Sequence, residues 1–366
     1  MARNVTPDPS ERVRTYLLLG RDAEALAACS RALTHNPTDT GLLTLSSIAS
    51  YRLGQHDDAI RFAMMAISSG PDSDSAHRAL ATALLTVGRA QEATSAAYTA
   101  AALAPHNWVN HLRYSQCLMA MPDSRDAAWQ AANRAVELAP QESLAHYQVA
   151  CVVYPVGPST RAQLDLAERA MREALRLEPS NATYQHELAR LKLVRSGVDG
   201  VGGGAASEVL AGFTGAVLAD PIGVGKGALE NIRLVLRRLV LVQSLMVMAA
   251  ACVGILMLGG LPSRPGKVVL DSSSALRGKL GLLAVVVALC IYFVVAWRRN
   301  LVGPSQQNVI RQVVRGDRRL SVGAGLLVAA LPVMAAGAFL PGDGPAMAAA
   351  GTFLLASAAA ILARAK

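Results

Sequence analysis

The chain has 366 residues, 52% of them hydrophobic and 17% charged, with a formal charge of +9 and five cysteines. No CxxC pair occurs among the cysteines, which excludes a disulfide framework and fits thiols kept reduced in cytoplasm and lipid. Residues 1–198 hold 19 basic and 19 acidic side chains and the remainder 16 and 7, so the whole excess lies in the second half, at the ends of apolar runs, which excludes nucleic acid as the partner.

From the amino end, Pro37, Pro71, Pro105, Pro140 and Pro179 recur at spacings of 34, 34, 35 and 39 residues. Gly20, Gly54 and Gly88 each stand five residues before an alanine (Ala25, Ala59, Ala93), and a second alanine follows seven residues on (Ala32, Ala66, Ala100). A period near 34 predicts stacked helical hairpins, because one hairpin cannot bury its apolar face without neighbours. The glycine ends the first helix in a left-handed conformation. The two alanines lie two turns apart on the second helix and let backbones approach, and the proline stops that helix.

On these residues the chain resembles a tetratricopeptide repeat (TPR) protein over about residues 6–195. An all-α, TPR-type solenoid of about five repeats is expected, with 182–194 as a polar closing helix. The departures are local. Leu43, His77, His111 and His146 stand at the tryptophan-type position of the first helix, and Val13 stands where a small residue is usual. The fourth repeat has Pro122 in place of glycine and one extra residue before Ala128 and Ala135; the fifth inserts a turn at 154–160 before Ala167 and Ala174.

The resemblance implies a non-catalytic concave groove, lined by first helices, that grips an extended or helical segment of a partner protein. Its lining positions fall on Arg14, Thr44, Ile48, Tyr51, Arg52, Arg78, Thr82, Gln116, Met119 and Tyr147. Three arginines beside tyrosines imply a partner with carboxylates and apolar anchors. Ser10, Leu45, Ser75 and Ala79 occupy four of the five positions of the family's clamp for chaperone carboxyl termini, so that partner is not expected.

Five glycines within 196–206 read as a flexible hinge, where the domain boundary is placed. The juxtamembrane stretch 207–238 follows. Val209, Phe213 and Val217 share one helical face, which either lies on a membrane surface or packs on the next helix. Gly225 and Lys226 make no phosphate loop, since Asp220 replaces its first glycine and Gly227 its hydroxyl residue.

Four runs, 239–258, 280–297, 321–340 and 346–363, contain no Asp, Glu, Lys, Arg or His and have the ~17 to 25 residues that cross a bilayer. They predict a four-helix transmembrane domain over 239–366. Arg233, Arg237 and Arg238 precede the first run, and the 298–320 loop carries Arg298, Arg299, Arg311, Arg315, Arg318 and Arg319. The opposite side receives Arg264, Lys267, Arg277 and Lys279, which places both termini and the repeats in the cytoplasm. Gly323, Gly325, Gly337 and Gly351 suit close packing or homo-oligomerisation of the last two spans. Thirty arginines against five lysines, with abundant alanine, point to a GC-rich bacterium, and the plan resembles TPR membrane proteins of actinobacteria.

No catalytic residue, cofactor or metal site is read from the chain. His77, His111 and His146 are repeat-equivalent, yet equivalent helices are separated by a helical layer, neighbouring axes being ~8 to 10 Å apart, too far for one zinc ion. They are expected to form a packing ladder. The spans offer only Gln243, Ser244, Ser321, Thr352 and Ser357 as polar groups, few for transport. The expectation is a membrane-tethered, non-enzymatic scaffold; a transporter or embedded enzyme with regulatory repeats is the alternative.

Overall fold

The computed structural model describes residues 8–154, 160–199, 203–257, 304–337 and 344–364, and within them every regular element is a helix. Two compact units emerge, Met1–Pro179 and Ser180–Lys366. In the first, five hairpins follow one another: α1 (Pro9–Leu18) with α2 (Asp22–Leu33), α3 (Thr40–Arg52) with α4 (His56–Ser69), α5 (Asp74–Thr86) with α6 (Ala90–Leu103), α7 (Trp108–Met119) with α8 (Arg125–Leu138), and α9 (Ser143–Val153) with α10 (Arg161–Leu177). This is an all-α, TPR-type helical repeat.

The local chemistry accounts for each turn. Gly20, Gly54 and Gly88 have φ of +70°, +75° and +79°, and a Cβ at any of them would meet open space. Backbone conformation alone therefore demands glycine there. In the fourth hairpin Asp123, one residue past Pro122, takes that role with φ of 55°; a short polar side chain tolerates the left-handed region better than most. At the starts of α3, α5 and α7, Asp39, Ser73 and Asn107 accept hydrogen bonds from the backbone N–H groups of Leu42, Ala76 and Val109.

Ala25, Ala59, Ala93, Ala128 and Ala167 are fully buried, as are Ala66, Ala100, Ala135 and Ala174. First helices also touch directly across repeats, α1 with α3, α3 with α5, α5 with α7 and α7 with α9, whereas among the described residues no comparable pairing joins successive second helices. The first helices thus form the inner, shorter row, and the spiral is concave on their side.

The second unit comprises α11 (Ala182–Asp199), α12 (Gly203–Ala219), α13 (Gly225–Met257), α14 (Pro304–Gly316), α15 (Arg318–Gly337) and α16 (Gly344–Arg364). Three sequence expectations change here. The polar closing helix at 182–194 is a longer helix packed on α12, with Tyr184, Leu188, Ala189 and Leu191 buried. Gly212 lets the two backbones meet, since a Cβ there would stand 2.8 Å from the Ala189 side chain. Helix also takes the proposed hinge at 196–206 apart from 200–202, which lie outside the described residues. The 298–320 stretch, read as a loop, contains α14, whose Val309 and Val313 are buried one turn apart.

The face of α12 left open by the sequence packs on protein. Val209, Leu210, Phe213 and Ala216 share a core with Ala228, Ile232 and Val235 of α13 and with α14. A second core joins Val247 of α13 with Ala330 of α15 and Ala356 and Ala359 of α16. Among the described residues no helix is long and apolar enough to cross a membrane. Of the expected spans, 280–297, 258 and 338–340 lie outside those residues, and the structure lends the transmembrane domain no support of its own.

Candidate functional site

The inner row is polar, and most of its polarity is already engaged. Arg14 of α1 is exposed. On α3, Thr44 is buried and donates its hydroxyl to the Thr40 carbonyl at 2.7 Å, while Ile48 packs half-buried on the first core. Tyr51 is half-buried, its ring 6.1 Å from that of His56. Arg52 donates to the Leu17 carbonyl at 2.6 Å, near the end of α1, with Asp22 at 3.5 Å. Thr82 of α5 donates to the Arg78 carbonyl. Tyr147 of α9 is half-buried, and Met119, at the end of α7, is 46% exposed.

Arg78 belongs to a network between the third and fourth repeats. Its Nη1 donates to Asn110 Oδ1 at 2.6 Å and lies 3.4 Å from Asp74 Oδ2. The Asn110 amide, fully buried, donates to Asp74 Oδ2 at 2.8 Å and to the Ala100 carbonyl at 2.9 Å, and Asn107 adds a bond to Asp74 at 3.0 Å. Such a closed set fixes the register of two hairpins.

Burial alone would push the Asp74 carboxyl up, but the bonds from Asn110 and Asn107, the Arg78 charge and the Ser75 N–H outweigh it and hold the group below its ordinary value. A depressed carboxyl stabilises the fold fully above the unfolded-state value and loses that contribution as pH falls through the folded one. Urea midpoints measured from pH 7 downward should therefore fall less steeply below about pH 4 for Asp74→Asn than for the parent. Parallel curves would remove Asp74 from the acid response.

Next to this network stands an arginine with no counter-ion among the described residues. Arg113 of α7 occupies the repeat position of Leu45 and Ala79, 68 and 34 residues earlier. Its Nε is buried and has no hydrogen-bond partner there, and the same holds for Oε1 of Gln116 three residues on. Burial pushes the Arg113 guanidinium below its usual value; the nearby Cys117 and Tyr51 oppose that, and the Arg78 charge adds to it. The sequence reading missed this residue, although a charge at a position otherwise leucine or alanine was the available signal. Arg113, Gln116 and Met119 follow at intervals of three, on one side of the helix. Met119 borders a cleft of about 700 Å³ at the α7 to α8 turn, lined by Leu118, Met121 and Val152 and also by Asp123, Arg125 and Asp126.

The histidine ladder has a definite bond. Nε2 of His77, His111 and His146 lies 2.9 Å from the carbonyl oxygens of Pro71, Pro105 and Pro140, six residues upstream in each case. Each ring thereby ties the inter-repeat turn to the helix that follows it. Among the described residues no three His, Cys, Asp or Glu side chains gather to hold a metal ion. Cys117 is fully buried, which pushes its thiol up to about 11. Such a thiol is inert at neutral pH.

The fold defines the first unit as a TPR-like helical solenoid. No family model matches the chain, and no curated protein matches it. Solved TPR structures do. The Cut9–Hcn1 hetero-tetramer of APC/C is 14% identical, with a TM-score of 0.51, over 61% of this chain and 42% of that one. A thermophilic TPR protein of Thermus thermophilus is 21% identical over 50% of this chain and 97% of its own, with a TM-score of 0.45. YrrB, a TPR protein with an unusual peptide-binding site, is 16% identical over 56% and 97%, with a TM-score of 0.39.

Proposed function

We propose that this protein is a non-enzymatic scaffold whose concave surface takes up a segment of a partner protein, while its second half holds it at a bacterial membrane. The inner row of first helices carries the first part of the reading. Arg14, Tyr51, Arg113, Met119 and Tyr147 all belong to that row, so a chain laid across several repeats would run past each of them. The Cut9–Hcn1 neighbour, itself an assembly of two proteins, uses a fold of this kind.

The membrane part draws on hydropathy and on side chains left bare. Leu245, Met246, Val328, Leu354 and Ile361 of α13, α15 and α16 are exposed, up to 69% for Ile361, an apolar surface that lipid would cover. Arg237 pairs with Asp317 at 2.9 Å, so the apolar runs of α13 and α15 begin level with each other. Arg233, Arg238, Arg311, Arg315 and Arg318 stand near those two starts, which favours the cytoplasmic side for that end and for the repeats.

A photo-crosslinking residue placed at Met119 or Tyr147 is expected to trap a protein adduct in cells, and one placed at Arg134 of α8, on the outer row, is not. Equal trapping at all three positions, or none, overturns the groove. Separately, the full chain should remain in carbonate-washed membranes; its release to the supernatant overturns the tether.

A further inference from the structure

We infer that the arginines of α13, α14 and α15 that stand where the apolar runs begin bind the phosphodiester headgroups of anionic phospholipids, with the outward stripe of α14 at the centre of the site. The inference rests on the membrane reading above and supplies the lipid chemistry which that reading leaves open.

Charge is heavily unbalanced in this part of the chain. Between 231 and 337 the described residues include seven arginines and one carboxylate, Asp317. That carboxylate is already engaged. Its Oδ2 accepts from Arg237 at 2.9 Å, and its Oδ1 accepts from the N–H groups of Arg319 and Leu320 at the start of α15. Arg233, Arg238, Arg311, Arg315 and Arg318 are exposed, and none has an ion-pair partner among the described residues. Like charges gathered on one surface repel one another, and anions supplied from outside relieve that repulsion.

Placement selects the anion. Val309 and Val313 of α14 enter the core shared with α12 and α13, so Asn308, Arg311, Gln312 and Arg315, at intervals of three, one and three, form the stripe turned outward. On α13 the exposed residues change from Arg238 to Leu245, and on α15 from Arg318 to Val322, steps of about 10 and 6 Å at ~1.5 Å per residue. A headgroup layer is itself about 5 to 7 Å thick, so guanidinium groups at these positions lie at headgroup depth once the apolar runs enter hydrocarbon. A phosphodiester accepts paired N–H groups from a guanidinium, and the side-chain amides of Asn308 and Gln312 add donors for its remaining oxygens. Zwitterionic headgroups carry the same phosphate, but their own ammonium opposes the excess of arginine, which favours an anionic lipid.

For the test, the full-length protein is purified in detergent and reconstituted into phosphatidylcholine vesicles holding a trace of spin-labelled phosphatidylglycerol or, separately, spin-labelled phosphatidylcholine. The motionally restricted fraction should favour phosphatidylglycerol by at least about threefold in relative affinity. R238Q/R311Q/R315Q/R318Q should bring the two labels level, and lysine at the same four positions should keep most of the preference. R12Q/R31Q/R125Q/R169Q, which removes equal charge from exposed sites on the solenoid, should leave the preference unchanged. If the first variant does not reconstitute, R311Q/R315Q carries the test in its place and should reduce the preference by about half. Equal restriction of both labels by the parent, a preference that survives the glutamine substitutions, or an equal fall in the solenoid variant overturns the headgroup site and leaves the tether to the carbonate wash. Displacement of the lipid by inorganic phosphate or by polyglutamate, at ionic strength matched with chloride, would assign the arginines to a soluble anion or an acidic protein segment and also overturn it. A parent protein that enters no vesicle overturns tether and site together.

Discussion

Replacing Asn110 with leucine is expected to destabilise the solenoid by about 3 kcal/mol, far beyond the ~0.5 kcal/mol typical of a surface change such as Thr99→Ala. Leucine has the same branched set of heavy atoms and is no smaller, so the loss does not come from a cavity. It comes from three partners that each lose a hydrogen bond: the Arg78 guanidinium, the Asp74 carboxylate and the Ala100 carbonyl. Two of these are charged, and hydrogen bonds to charged groups contribute about 1.5 to 3 kcal/mol each. Urea unfolding gives the magnitude, and amide exchange should locate the damage in α5 to α8. A variant within about 1 kcal/mol of the parent would show that water replaces the asparagine, and the network would lose its claim to fix the register of the two repeats.

Truncating Phe213 to alanine should cost the second unit about 3 to 5 kcal/mol. It is fully buried, it lies in a core shared by four helices, and its ring meets that of His186 at 5.5 Å with a tilt of 54°. Leu218, on the same helix but 49% exposed, supplies the contrast, and Leu218→Ala should change stability by no more than about 0.5 kcal/mol. Pulse proteolysis in detergent separates the two outcomes. If both variants resist digestion equally, α12 is not packed on α13 and α14 as described, and the surface-helix alternative for that segment returns.

Much of the solenoid is written in small residues whose roles are local. Gly20, Gly54 and Gly88 each need only their own backbone conformation, and the buried alanines need only one neighbouring helix, so a single chain displays both. Asp123 is harder to see, because the left-handed residue moves one place along when the turn gains a residue. Asn110 and Arg113 escape for a different reason. The partners of Asn110 are 10 to 36 residues away, Arg113 lacks one among the described residues, and no periodicity marks which polar residue faces inward. In the second unit the glycines of 196–206 suggest a loosened chain, yet Gly203 and Gly204 begin a helix and Gly212 permits the close helical contact. α14 is hidden by its arginines, which draw attention to charge where the spacing of Val309 and Val313 points to a buried stripe. Of the groove positions carried over by resemblance, Thr44, Arg52 and Arg78 serve the fold, which no comparison of positions alone distinguishes from serving a ligand.

Because the inner helices are the ones that touch from one repeat to the next, the radius of the spiral is set by side chains on the very surface proposed for a partner. Enlarging one of them to suit a new ligand also opens the curve. If the groove is the binding surface, recognition and curvature evolve as one trait, and drift in partner preference would leave its mark as a change in the bend of the solenoid.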